Sequence, residues 1–159
     1  KTTAVRSLAD TFRRIGLDVL VVDLDPQGNL SDYFDVPPDA SPTVADVLAG
    51  QAKAADAVHD DVLPANLGLA EAELVLSGKM GRELTLKRAL RELRKDYDLI
   101  LVDCPPALGL LTVNALVAAD HGRAVAHRDD VAHAASTDHR GGPGGTIGRH
   151  KPEVGGGAG

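Results

Sequence analysis

All 21 leucines of this 159-residue chain lie before residue 120, which confines any sizeable hydrophobic core to the first 120 residues. The remaining segment, residues 121–159, holds ten of the 17 glycines and five of the six histidines, but only four large aliphatic side chains. Such a composition buries too little apolar surface to offset the entropy that a chain loses on ordering. We therefore predict one folded domain over residues 1–120, followed by a Gly/His-rich tail that is mostly disordered.

The charge and the cysteine content exclude several classes of protein. A formal net charge of −6 argues against a protein whose whole surface grips nucleic acid. The single cysteine, Cys104, excludes a disulfide framework and a cysteine-rich metal centre within one chain. No apolar run approaches the roughly 20 residues that a membrane-spanning helix needs, and no signal peptide opens the chain. We therefore expect a cytoplasmic protein with no membrane partner.

The apolar pattern of the first 120 residues predicts helices that alternate with buried strands. Helical spacing predicts helices over residues 2–15, 43–49, 72–77, 82–95 and 110–119. Aliphatic or alternating runs predict strands over residues 18–24, 66–71 and 97–102. We expect Ser41 to cap the second helix with Pro42 as its first residue, and the last helix, apolar on nearly every side, to be buried. Alternating strands and helices indicate an α/β fold with a parallel sheet.

The two strongest predicted strands both end in aspartates. Asp23 and Asp25 come at the end of the first, and Asp103 ends the last. Ligands of an open α/β sheet bind outside the carboxyl ends of its strands, so we expect these side chains to face one crevice. Up to three carboxylates would repel one another there unless a cation neutralised them. Mg²⁺ held together with phosphate oxygens meets that requirement.

A lysine and a hydroxyl residue open the first predicted helix. Lys1 and Thr2 match the last two positions of the phosphate-binding loop G-x-x-x-x-G-K-[ST]. In such a loop the lysine reaches the β- and γ-phosphates and the hydroxyl binds the metal, while the helix N-terminus adds partial positive charge. This dipeptide is common, and it indicates a phosphate site only through its order and spacing relative to the two acidic strand ends.

Two motifs at a characteristic separation then make the sequence recognisable, DLDPQGN at residues 23–29 and DCPP at residues 103–106. Across essentially residues 1–120 the chain resembles the ParA/Soj-type partitioning ATPases, relatives of MinD with a deviant Walker A loop. The resemblance implies a P-loop NTPase-like three-layer sandwich that binds ATP and Mg²⁺. It also implies that this sandwich is incomplete, because the family's glycine-rich loop and first strand would precede residue 1.

The resemblance assigns the first residues to the nucleotide. Lys1 looks like the phosphate-binding lysine that ends the K-G-G-x-G-K-T-T loop, and Thr2 looks like the magnesium ligand. Thr3, the last residue of that motif, is expected to belong to the same cofactor-binding segment.

The resemblance also assigns the acidic residues and the partners. Asp25 matches the residue that positions and activates the attacking water, Asp23 its neighbour close to the metal shell, and Asp103 the Walker B aspartate that holds Mg²⁺ through water. Family members form a homodimer around ATP, bind DNA non-specifically, and release it when a ParB-type partner stimulates hydrolysis. The basic surface that contacts DNA in the family is not evident in this sequence.

Other interpretations of the sequence lead to different functions. A chain without the glycine-rich loop is also consistent with a non-catalytic remnant of this fold that at most mediates association. Gln27 stands where the D-x-D-x-[TV] phosphatases carry Thr or Val, which disfavours that class. A receiver domain would need a strand-end lysine late in the chain, and none is found.

Overall fold

Three parallel strands in the order β2–β1–β3 form the sheet in the computed structural model of the chain, which describes residues 2–120. The strands are β1 (Val19–Asp23), β2 (Val62–Leu63) and β3 (Leu99–Asp103). All five residues of β1 are buried, and the strand pairs with β3 along its whole length. The predicted disorder of residues 121–159 concerns a segment that lies outside the described residues.

Six α-helices lie within residues 2–120, of which α1 precedes the first strand. They are α1 (Thr2–Arg14), α2 (Asn29–Tyr33), α3 (Val44–Ala49), α4 (Gly68–Ser77), α5 (Thr85–Leu90) and α6 (Leu110–Ala118). Short 3-10 helices occupy Ala54–Ala57, Arg82–Leu84 and Leu93–Lys95. None of the helices in this part of the chain has the length and apolar character to cross a bilayer.

The hydrophobic core lies on both faces of the sheet. Leu20 and Val22 of β1 point to a large cluster that contains buried residues of α3, α4, α5 and α6. Val19 and Val21 point to the opposite face, where they pack against Ala9 of α1. Because β1 is covered on both faces, its sequence is a continuous aliphatic run. The predicted α/β fold with a parallel sheet is confirmed.

The predicted strand over residues 66–71 is wrong, because that segment begins α4. The Asn66 side-chain oxygen accepts the Gly68 amide at 3.0 Å, and the Asn66 carbonyl accepts the Leu69 amide at 3.0 Å, so Asn66 forms the turn that leads into the helix. The strand of this region is instead the two-residue β2, whose partners in β1 are Val21 and Val22. The predicted short helix over 72–77 is the second half of α4.

The predicted continuous helix over residues 82–95 is broken into a 3-10 turn, α5 and a second 3-10 turn. At the first break the Leu86 amide donates to the side-chain oxygen of Asn114 at 3.1 Å, rather than to a carbonyl of its own helix. Asn114 is fully buried in α6 and also donates to the Leu110 carbonyl at 3.0 Å. A contact between distant segments therefore decides where α5 begins.

Two further expectations need correction. The cap of α3 is Thr43 rather than Ser41, because Thr43 and Asp46 form a reciprocal capping box. The predicted end of that helix at Gly50 is confirmed, since Gly50 is its C-cap with a φ of 82°. The helix α6 was expected to be buried, yet within residues 2–120 only one side of it packs, and Leu116 is 59% exposed.

Candidate functional site

The aspartates that end β1 and β3 lie side by side. The register pairs Asp23 directly with Asp103, so both carboxyl groups stand at the same end of two adjacent parallel strands. Both residues are buried, with exposures of 0% and 3%. The Leu24 amide continues the ladder by donating to the Asp103 carbonyl at 2.9 Å. The structure thus brings together the two acidic strand ends that the sequence singled out.

Asp103 faces the first turn of α1 and the loop after β1. Burial raises the pKa of the Asp103 carboxyl above its ordinary value, and the nearby negative charge of Asp25 raises it further. Hydrogen bonds from the Thr2 side chain and the Cys104 amide act in the opposite direction. Two of the predicted site residues, Thr2 and Asp25, therefore lie close to this carboxyl.

Asp23 is held by protein donors on both carboxyl oxygens. The Asp25 amide donates to Oδ1 at 3.0 Å, while the Ser31 amide and hydroxyl donate to Oδ2 at 3.0 and 2.8 Å. Burial raises the pKa of Asp23, the three hydrogen bonds counteract that rise, and the charge of Asp103 adds to it. The carboxyl group of Asp23 is therefore directed into the loop that follows β1.

The loop after β1 presents Asp25 at the edge of the site. The Gln27 amide donates to Asp25 Oδ1 at 3.0 Å, and the Gly28 amide donates to the Asp25 carbonyl at 2.9 Å. Gly28 has a φ of 66°, and a Cβ there would lie 3.4 Å from the Ala65 carbonyl oxygen. Among residues 2–120, the hydrogen bond that Asp25 accepts on its carboxyl group is made by Oδ1, and no donor of this part of the chain contacts Oδ2.

The remaining predicted residues lie apart from this cluster or outside the described chain. The Thr3 side chain is exposed, and the carbonyl of Thr3 accepts the Ser7 hydroxyl at 3.0 Å. Lys1 lies outside the described residues. Sequence reasoning missed Ser31, and its one signal was a small hydroxyl residue just beyond the DLDPQGN motif.

The expectation of three carboxylates around one cation needs revision. Among residues 2–120 no three His, Cys, Asp or Glu side chains form a group that could hold a metal by themselves. Both Asp23 oxygens also accept hydrogen bonds from the protein, so this carboxyl group is already engaged by the loop after β1. Oxygen donors from Thr2, Asp25 and Asp103 remain, and they suit Mg²⁺, which takes one or two carboxylates and completes its shell with phosphate and water.

A parallel sheet with helices on both faces, acidic residues at adjacent carboxyl strand ends and a helix that begins beside them define a class of protein. This is the P-loop NTPase-like α/β sandwich. Similar solved structures support the assignment. A crystal structure described as cobyrinic acid a,c-diamide synthase from Mycobacterium smegmatis, with bound ATP analog and magnesium, superposes with a TM-score of 0.71 at 44% identity. The match covers 74% of this chain and 51% of that one.

Sequence comparison identifies the family within this class. A family profile described as an AAA domain matches residues 1–126. The sporulation initiation inhibitor protein Soj of Bacillus subtilis (strain 168) is 42% identical over 127 residues, which cover 76% of this chain and 50% of that protein. The chromosome-partitioning ATPase Soj of Treponema pallidum (strain Nichols) is 39% identical over 126 residues, covering 76% of this chain and 49% of that protein. The chain belongs to the ParA/Soj-type ATPase family, and it spans about half the length of the curated relatives it matches.

The buried charge of Asp103 leads to a prediction about stability. A carboxyl whose pKa is raised by folding stabilises the fold below its unfolded pKa of 3.8, and that contribution is lost as the pH rises through the folded value. At pH 7 without a metal, Asp103→Asn is therefore expected to increase the free energy of unfolding by on the order of 1 kcal/mol. Urea unfolding should show this gain shrinking as the pH is lowered towards 4. Asp39→Asn, at an exposed position, is the matched control; a less stable Asp103→Asn protein at pH 7 would contradict the prediction.

Proposed function

We propose that this chain is part of a partitioning ATPase that hydrolyses ATP to ADP and phosphate, and that it contains the residues that bind Mg²⁺ and orient the attacking water. The proposal is supported most by one observation, the approach of Thr2 and Asp25 to the buried carboxyl of Asp103. A hydroxyl and a carboxylate at adjacent element ends are the groups that bind Mg²⁺ next to a nucleotide in P-loop proteins. The similar M. smegmatis structure is described with a bound ATP analog and magnesium, which supports the same pair of ligands for the family.

Each residue has a distinct role in this proposal. Thr2, through its hydroxyl, and Asp103, through a water molecule, would hold Mg²⁺. When bound, the metal neutralises charge that develops on the phosphate oxygens. Asp25 accepts a hydrogen bond from the water that attacks the γ-phosphorus, and the bond to the β-phosphate oxygen breaks. Lys1 contacts the phosphates, and Thr3 belongs to the same nucleotide-binding segment.

Asp23 supports the site indirectly. It lies beside Asp103, but its oxygens are engaged by the Asp25 amide and by Ser31. We therefore place Asp23 near the metal shell, where its charge and its hold on the loop support the metal ligands.

The cellular role that we propose is chromosome or plasmid partitioning in the cytoplasm. The Treponema pallidum relative is named a chromosome-partitioning ATPase. Family membership supports a homodimer formed with ATP and a ParB-type partner that stimulates hydrolysis. It also supports non-specific binding to DNA, which the protein releases on hydrolysis. No membrane partner is proposed.

Titration of the chain with ATP, with and without Mg²⁺, tests the proposal. We expect micromolar, Mg²⁺-dependent binding, nucleotide-dependent dimerisation and slow release of phosphate. Asp103→Ala should require a higher Mg²⁺ concentration for the same binding, whereas the exposed control Asp39→Ala should not. Absence of nucleotide binding, both in this chain and in one carrying K-G-G-x-G before Lys1, would overturn the proposal and favour a non-catalytic association module.

A further inference from the structure

Ser31 lies in the first turn of α2 and contacts the site through hydrogen bonds to Asp23. Its side chain is buried, with 4% exposure. We propose that Ser31 is a positioning residue that fixes the water-orienting Asp25 by acting through Asp23. The inference rests on the proposed function and adds to it a residue that touches neither metal nor nucleotide.

The hydrogen bonds of the Ser31 hydroxyl have one consistent direction. The Ala65 amide donates to Ser31 Oγ at 3.1 Å, so the hydroxyl acts as acceptor there. The hydroxyl proton is then directed to Asp23 Oδ2 at 2.8 Å, where the Ser31 amide also donates. Ser31 therefore joins the segment before α4 to the carboxyl group at the end of β1.

Asp23 passes this constraint to Asp25. The opposite oxygen of the same carboxyl, Oδ1, accepts the Asp25 amide at 3.0 Å. A rotation of the Asp23 carboxyl plane would break that bond together with the bonds to Ser31. On the other side, the Gly28 amide donates to the Asp25 carbonyl at 2.9 Å. The backbone of Asp25 is thus held at its amide by the Asp23 carboxyl, which Ser31 orients, and at its carbonyl by the turn at Gly28.

A cavity of about 30 Å³ next to Ser31 supplies a matched conservative variant. It is lined in part by Val36, Thr43 and Pro64. This space offers room for the added methyl group of Ser31→Thr, a variant that retains the hydroxyl needed for both hydrogen bonds. Ser31→Ala removes the hydroxyl and both bonds, and Ser31→Cys keeps the volume but donates only weakly.

A kinetic double-mutant cycle tests the positioning role. Ser31→Ala should lower kcat by about tenfold or more with little change in KM, because displacement of a reacting group mainly affects the chemical step. Ser31→Thr should restore kcat, and Ser31→Ala should have no further effect in an Asp25→Ala background. Ser77→Ala is the control, since Ser77 is exposed and its hydroxyl donates only to the Leu74 carbonyl. If Ser31→Ala does not fold, Ser31→Cys takes its place.

Equal losses in both backgrounds would overturn the inference, because they indicate a role in the fold alone. Amide hydrogen exchange provides a readout that does not need activity. Ser31→Ala should speed exchange at the Asp25 and Ala65 amides and leave Leu101 in β3 unchanged, and Ser31→Thr should restore protection. If neither this chain nor the chain carrying K-G-G-x-G before Lys1 hydrolyses ATP, the proposed function fails by itself. Unchanged exchange at Asp25 in the Ser31→Ala protein would overturn the inference in either case.

Discussion

Replacing Asp25 with alanine is expected to lower kcat for ATP hydrolysis by at least about 10²-fold while ATP binding stays close to that of the wild type. Asp25 sits at the edge of the site with one carboxyl oxygen, Oδ2, that accepts no hydrogen bond from residues 2–120. Loss of that oxygen removes the group that orients water but leaves Thr2 and Asp103 in place. Phosphate release under single-turnover conditions and titration with ATP measure the two quantities separately.

The experiment with Asp25 needs both a control and a chain that binds phosphate fully. Asp39→Ala is a matched exposed substitution and should change neither quantity. Both variants are to be compared in this chain and in one with the K-G-G-x-G segment before Lys1. Full turnover by Asp25→Ala would remove Asp25 from the catalytic role. Loss of binding equal to the loss of turnover would instead assign Asp25 to the binding of the nucleotide.

Asp23→Ala is expected to lower the free energy of unfolding by about 3–5 kcal/mol, the largest effect on stability in this region. The substitution leaves two backbone amides and the Ser31 hydroxyl without the acceptor that they share in the buried state. It also removes the contact that holds the loop after β1. Urea unfolding at pH 7, with the m-value monitored, measures the change.

The neighbouring buried aspartates should therefore respond in opposite ways. Asp103→Asn keeps an acceptor and removes a buried charge, so it stabilises the chain, whereas Asp23→Ala leaves three donors unpaired. An exposed substitution such as Asp39→Ala should change stability by less than about 0.5 kcal/mol. A loss of less than about 1 kcal/mol for Asp23→Ala would mean that its carboxyl group does not organise the loop.

The sheet and its acidic end could be predicted because they depend on local sequence. The aliphatic runs of β1 and β3 are continuous, so the strands and their carboxyl ends could be placed within about two residues. Neighbouring parallel strands end at the same edge, which brings Asp23 and Asp103 together. By contrast, β2 has only two residues, and its pairing with β1 rather than any alternation in sequence defines it.

Errors in the helices have a similar cause. The start of α5 depends on the side chain of Asn114, which lies 28 residues further along the chain. No periodicity within residues 82–95 contains that information. Asn66 could have been identified as a helix start, since Asn favours such positions, but a weak apolar alternation over the following residues favoured a strand.

The meeting of the acidic strand ends could be predicted from the sequence, but the contacts of each side chain could not. Thr2 and Asp25 approach Asp103 because α1 begins, and β1 and β3 end, at the same edge of the sheet. The engagement of Asp23 by Ser31 depends on Ala65, which is 34 residues from Ser31 and belongs to another connection. Thr3 is exposed because consecutive helical residues point in different directions.

Replacement of Mg²⁺ by paramagnetic Mn²⁺ in the presence of ATP, followed by NMR of the backbone amides, tests most directly where the metal binds. If the metal binds beside Asp103, the signals of Thr2, Asp25 and Asp103 should broaden first. Signals of the acidic pair Asp60 and Asp61, which precede β2 at the opposite end of the sheet, should persist. Broadening centred on Asp60 and Asp61, or no selective broadening within residues 2–120, would contradict the proposed metal site.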